Sequence, residues 1–221
     1  MPQVVERVLS EAVLEKTMHL FWQKGYFSVS IEDIIETTGF NRAAIYKHFG
    51  GKDGLFLAML IRYRNHVTEM LTSPLQSKQD NGLGLHNIKL FFQSISQLHQ
   101  QNCLSMGCFL IATASDIPSH DERIVKFIGE FIQHLRTLFL NNVDAAAKCG
   151  QLKYDGNNSA IADFLVGNVF GLFTLCRSKA PKIVFENQLV GIMDFVESIS
   201  SKKGSQNPER RTKIKNKGVI L

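Results

Sequence analysis

Between Ser30 and Lys52 the chain holds side chains suited to gripping a polyanion and reading the edges of its bases. Arg42 and Lys47 can meet phosphates or the acceptor edge of guanine, and Asn41 and Tyr46 can hydrogen-bond phosphates. Ala43 is small enough to let a helix approach closely. From Arg42 to Lys52 there are three basic residues and no acid. If residues 42–49 are helical, Ala44, Ile45 and Phe49 form an apolar face. Arg42, Ala43, Tyr46 and Lys47 then share the opposite face, with His48 beside them and Lys52 just beyond. That is the chemistry of binding double-stranded DNA through one exposed helix.

Such a face needs a platform, and the preceding residues supply one. Ser30 is placed to cap a short helix whose first turn carries Glu32 and Asp33, where acids favour the helix dipole. Ile31, Ile34 and Ile35 give that helix its buried side. Thr38-Gly39 ends it, Gly39 is free to take the left-handed turn, Phe40 can plug the core beneath, and Asn41 can cap the next helix. Helix, glycine turn, second helix is the helix-turn-helix pattern. Ser30, Thr38, Asn41, Arg42, Ala43, Tyr46, Lys47, His48 and Lys52 are therefore the candidate DNA-binding residues.

The rest of the chain reads as all-α. Apolar residues step by three and four, as in Phe127-Ile128, Phe131-Ile132, Leu135 and Leu138-Phe139. The spacing predicts helices over 4–24, 31–38, 42–49, 52–72, 85–101, 107–115, 121–148, 158–179 and 183–201. The polar stretch 73–84, with Pro74 and two glycines, is expected to be a loop and a domain boundary. Three parts follow: a DNA-binding domain over 1–51 with a connecting helix over 52–72, a larger helical domain over 73–201, and a tail over 202–221. The chain's 221 residues suffice for a real core without metal or disulfide staples.

The net charge of +5 is unevenly placed. Residues 202–217 carry seven basic side chains against one acid, Glu209, so that segment holds +6 and the remainder −1. The overall basicity describes a tail, expected to be disordered, and is no argument for nucleic-acid binding by the folded part. The N-terminus has no basic segment followed by an apolar run, and the apolar stretch 160–176 contains Asp163 and Asn168. A buried helix, a cytoplasmic protein with reduced thiols and no membrane partner are expected. No cofactor or metal is expected either. Gly50-Gly51-Lys52-Asp53-Gly54 fails the phosphate-loop pattern, since Asp53 stands where Ser or Thr is needed, and no His or Cys pair has convincing ligand spacing.

The full stretch 20–55 resembles the DNA-binding domain of the TetR family of transcriptional regulators. The resemblance rests on Leu20-Phe21, Gly25-Tyr26, Ser30-Ile31-Glu32-Asp33-Ile34, Gly39, Ala44-Ile45-Tyr46-Lys47-His48-Phe49 and Lys52-Asp53-Gly54-Leu55. Lys16 and Thr17 depart from it, standing where the family usually has alanines. Gly107-Cys108-Phe109-Leu110, at the start of the sixth expected helix, resembles one broad branch of the family.

The resemblance implies a repressor that binds a palindromic operator as a homodimer through 158–179 and 183–201, and that is released by a small apolar effector or by cysteine modification. Eleven of the sixteen phenylalanines follow residue 60. Phe109, Phe131 and Phe170 are the candidates for lining an apolar effector pocket. Cys108 is the candidate sensor, because a helix start can lower a thiol's pKa, with core packing as the competing role. The alternative reading is an all-α small-molecule carrier or enzyme with no DNA role, for which the basic face of 42–52 would have no use.

Overall fold

The structure, a computed structural model, describes residues 10–77, 82–117, 121–153 and 156–201. These form ten α-helices and one π-helical turn. The expected helical residues 4–9 and the basic tail over 202–221 lie outside the described residues.

Helix α1 (Glu11–Lys24) begins where Ser10, in extended conformation, accepts a hydrogen bond from the Val13 amide at 3.4 Å. The helix expected to run unbroken from residue 4 therefore starts at 11. Thr17 fits its unexpected place by donating its hydroxyl to the Val13 carbonyl at 2.7 Å while fully buried, and Lys16 points to solvent.

Helices α2 (Ile31–Thr38) and α3 (Arg42–Phe49) stand as expected. Between them Gly39 adopts φ +77°, a left-handed conformation that a side chain would strain. Phe40 is buried beneath the turn against Phe49, their rings 6.0 Å apart and edge to face. Phe21, Ile34, Ile45, Leu55 and Phe56 close this small core.

Helix α4 (Lys52–Tyr63) follows directly. A Cβ on Gly54 would sit 1.8 Å from the Phe49 carbonyl oxygen, so glycine lets α4 pack tightly on the end of α3. Helix α4 then passes through a π turn (Arg64–Thr68) into α5 (Glu69–Gln76). Pro74, expected to lie in a loop, instead lies inside α5. Proline leaves the carbonyl four residues back without its amide partner. That carbonyl, on Met70, instead accepts the Ser73 hydroxyl at 2.9 Å.

The remaining helices are α6 (Leu85–Gln100), α7 (Phe109–Ala114), α8 (Glu122–Lys148), α9 (Asn158–Arg177) and α10 (Lys182–Ser198). Helix α9 lies along α8, α10 packs on α9 and α6, and α4 touches α1, α7 and α8. The buried apolar residues form one cluster that runs from Met18 to Val196. Helix α9 is long and apolar enough to span a membrane, but Ile161, Ala162, Leu165, Val169, Leu172, Phe173 and Cys176 bury one face of it inside the protein.

Candidate nucleic-acid interface

Local caps hold the candidate reading face. The Ser30 hydroxyl accepts the Asp33 amide at 3.0 Å, and the Asp33 carboxylate accepts the Ser30 amide at 2.7 Å, a complete capping box. The Ser30 hydroxyl, which also donates to this carboxylate at 2.6 Å, and the Ser30 amide hold the Asp33 carboxyl below its usual range. Asn41 caps α3 by accepting the Ala43 amide at 2.7 Å. Helix α3 is thereby fixed with Ile45 fully buried and Arg42, Ala43, Tyr46, Lys47 and His48 exposed on its outer side. Tyr46 is 52% exposed.

Three of the candidates stand differently from the rest. Thr38 is buried; its hydroxyl donates to the Ile34 carbonyl at 2.6 Å and accepts the Phe40 amide at 3.2 Å. It shapes the turn and is not presented to DNA, which corrects its place among the contact residues. Ser30 and Asn41 remain exposed, but the Ser30 hydroxyl and the Asn41 side-chain oxygen already serve as caps.

Arg42 is ion-paired with Glu32 of α2, and this pairing holds the Glu32 carboxyl below the usual range. Among the described residues Lys47 and His48 carry no ion pair. Lys52 is half-buried, with its ammonium 4.0 Å from the centre of the Tyr26 ring; burial lowers its pKa. The Tyr26 hydroxyl donates to Asp53 at 2.5 Å. Glu32, Tyr26 and Asp53 were not among the expected functional residues. Glu32 and Arg42 are ten positions apart, and no helical spacing connects them.

The effector candidates scatter. A cavity of about 490 Å³ lies between the π turn, α5 and α8, walled by Arg64, Asn65, Thr72, Gln76, Glu130, Phe131 and His134. Only Phe131 of the four candidates belongs to it. Phe109 is buried in an aromatic cluster with Trp22, Phe56 and Tyr63, at ring distances of 5.5 to 6.3 Å. Phe170 is half-buried on α9, outside that cavity.

Cys108 caps α7 and lines a separate cavity of about 260 Å³ with Asp116, Phe173 and Arg177. The expected lowering of its pKa is reversed, because burial raises it. A short helix start does not overcome that desolvation. The same region ties the two halves together. Trp22 Nε1 donates to the Met106 carbonyl at 3.1 Å, and Arg177 donates to the Trp22 and Met106 carbonyls at 2.8 and 3.3 Å.

Fold and face together define an all-helical protein built around a helix-turn-helix. Comparison with known proteins makes the assignment narrower. Residues 13–59 match the family described as bacterial regulatory proteins, tetR family. The HTH-type transcriptional repressor ComR of Escherichia coli is 32% identical over 110 residues, covering 50% of each chain, so the match spans about half the length of that relative. A TetR family transcriptional regulator from Cytophaga hutchinsonii shares the fold with a TM-score of 0.73 at 20% identity, over 87% of this chain and 94% of that one. A cysteine mutant of the TetR family regulator CifR, complexed with 26bp double-strand operator DNA, superposes with a TM-score of 0.66 at 17% identity, over 86% and 95%. Residues 13–59 thus match the TetR family, and the described residues share the fold of TetR family regulators, which together support a TetR family transcriptional regulator.

Proposed function

We propose that this protein is a DNA-binding repressor that holds a palindromic operator as a homodimer in the cytoplasm and releases it when a small molecule binds. The carrying observation is the outer face of α3, where Arg42, Ala43, Tyr46 and Lys47 stand exposed on a helix that caps and a glycine turn hold in place. The small Ala43 allows close approach to the major groove, and the flanking cations supply phosphate and base contacts. ComR is named a repressor and CifR was captured on operator DNA, which supports the same role here. In this reading residues 1–51 read DNA, 52–72 connect, and 73–201 pair the subunits and receive the effector.

The dimer surface is the outer side of α9 and α10. Phe164, Ile183, Val184 and Val190 are 46, 58, 42 and 57% exposed there, an apolar surface suited to covering by a second copy. Gly167 has open space beside it, whereas Gly171 is occupied from within the chain by the Gln188 amide, 2.6 Å from the position of a Cβ. Close approach between subunits thus centres on Gly167. The effector site is the cavity beside the π turn. Six of its seven lining residues are polar types, yet its wall is divided between polar and apolar surface, so the effector is an amphipathic molecule that carries hydrogen-bonding groups beside the apolar part expected from the phenylalanine count.

Selection of bound duplexes from random DNA tests the reading. An inverted repeat is expected, its half-sites about one helical turn apart or more. Binding should also weaken steeply as salt rises. Recovery of no common sequence would refute it. Sedimentation should show a dimer at micromolar concentration, and Phe164→Asp with Val190→Asp should yield a monomer.

A further inference from the structure

The exposed cations of α3 sit on a rigid helix, but Lys52 is a long, flexible side chain at the first position of α4. A phosphate contact from such a residue is weakened by the rotamer freedom that it must give up. In this protein much of that freedom is already gone. The Lys52 ammonium lies 4.0 Å from the centre of the Tyr26 ring, a cation–π distance. The ring is itself clamped. Its hydroxyl donates to Asp53 at 2.5 Å, Phe56 packs at 4.9 Å and Phe21 at 6.4 Å. Asp53 Oδ1 is thereby engaged by the hydroxyl, and Lys52 has no ion pair among the described residues.

We propose that Tyr26 is a positioning residue for DNA binding: its face, oriented by Asp53, holds the Lys52 ammonium where a backbone phosphate arrives. The inference rests on the DNA-binding reading of α3 and assigns a role to a residue at the end of α1 that touches no base. The cation keeps its charge on the ring because the attraction uses the ring's negative face. Its outer hydrogens remain for the phosphate.

The test compares Tyr26→Phe with the similarly shaped Tyr26→pentafluorophenylalanine, whose ring face repels a cation. Binding is measured on one random-sequence duplex at fixed low salt, in the wild-type and Lys52→Ala backgrounds. Fluorination should weaken binding about two- to fivefold relative to Tyr26→Phe. The difference should vanish in the Lys52→Ala background, where the salt slope is also lower by about one phosphate. Equal binding by the two ring variants, tighter binding on fluorination, or the same loss without Lys52 would overturn the proposal and leave Tyr26 as packing. A wild-type protein that fails to bind DNA would overturn the reading beneath it. A measurement on the unaltered chain is independent of folding defects. Ring current should shift the Lys52 ε-methylene protons upfield in the free protein and on the duplex. Unshifted protons in the free protein would overturn the inference.

Discussion

The helix-turn-helix and the helices beyond Gln76 use their buried and capping polar atoms differently. In the first, partners are neighbours in sequence: Ser30 with Asp33, Thr38 with Ile34 and Phe40, Asn41 with Ala43. In the second, beside local bonds such as the Asp121 and Asn157 caps, several bridge distant segments. Asn142, fully buried, donates to the Leu75 carbonyl at 2.8 Å and accepts the Gly84 amide at 3.1 Å. Gln151 accepts the Leu85 amide at 3.3 Å, and Arg177 reaches back to Trp22. The reading unit is thus a locally specified module whose outer face is free of structural duty. The larger helical part is held by long-range polar ties, and a change there propagates.

The largest expected effect follows from that division. Replacing Arg42, Tyr46 and Lys47 together with alanine should lower operator affinity by at least about a hundredfold, since each base or phosphate contact contributes on the order of 1–3 kcal/mol. Thermal stability should barely move, because all three are exposed. Gel-shift titration beside a melting curve measures both. Equal operator binding would break the assignment of α3 as the reading helix. Asn142→Ala should show the opposite pattern. It removes the partners of buried backbone groups, so a loss of about 2–4 kcal/mol of stability is expected, read by urea unfolding. A loss below about 0.5 kcal/mol would show that the long-range ties do not hold this half together.

The same division explains what could be read in the sequence. Caps, a glycine turn and an apolar face repeat at fixed short spacings, so α2, α3 and the outer residues of α3 were legible one by one. Pro74 misled because its effect was judged without the Ser73 hydroxyl that serves the Met70 carbonyl. Thr38 misled because its exposure depends on how Phe40 seats beneath the turn. The Glu32–Arg42 pair, the Tyr26–Lys52 contact and the Trp22–Met106–Arg177 junction join residues that no period relates, and only the folded chain brings them together. The four effector candidates do not meet in one cavity for the same reason. Counting phenylalanines could not separate Phe109, packed against Trp22, from Phe131, which lines the cavity beside the π turn.

A smaller effect sharpens the contrast at the thiols. Cys103 and Cys149 are exposed, whereas Cys108 and Cys176 are buried. Burial raises the pKa of both buried thiols, Cys176 to about 11. A thiol reagent at neutral pH should label two cysteines at least about tenfold faster than the other two, since the thiolate is the nucleophile. Mass spectrometry should place the fast sites at 103 and 149. Rapid labelling of Cys108 would restore it as a sensor candidate, and operator release by an electrophile that Cys108→Ser abolishes would establish that role.

The smallest effect concerns Glu32. Its carboxylate pairs with Arg42, so the cation must leave it to reach DNA, and its negative charge faces the same polyanion. Glu32→Gln removes both obstacles while keeping the shape of the side chain. Affinity for all duplexes should rise, but by no more than about fivefold, because an exposed pair is weak in water. The sign with pH follows from the lowered carboxyl. Glu32 is charged throughout the range above its ordinary value of about 4.3, so the gain should be constant between about pH 6 and 8 and shrink only as acid protonates the carboxylate. A gain that varied between pH 6 and 8 would overturn this account. Unchanged or weakened binding would show that Glu32 orients Arg42 for its contact, making the pair part of the reading face.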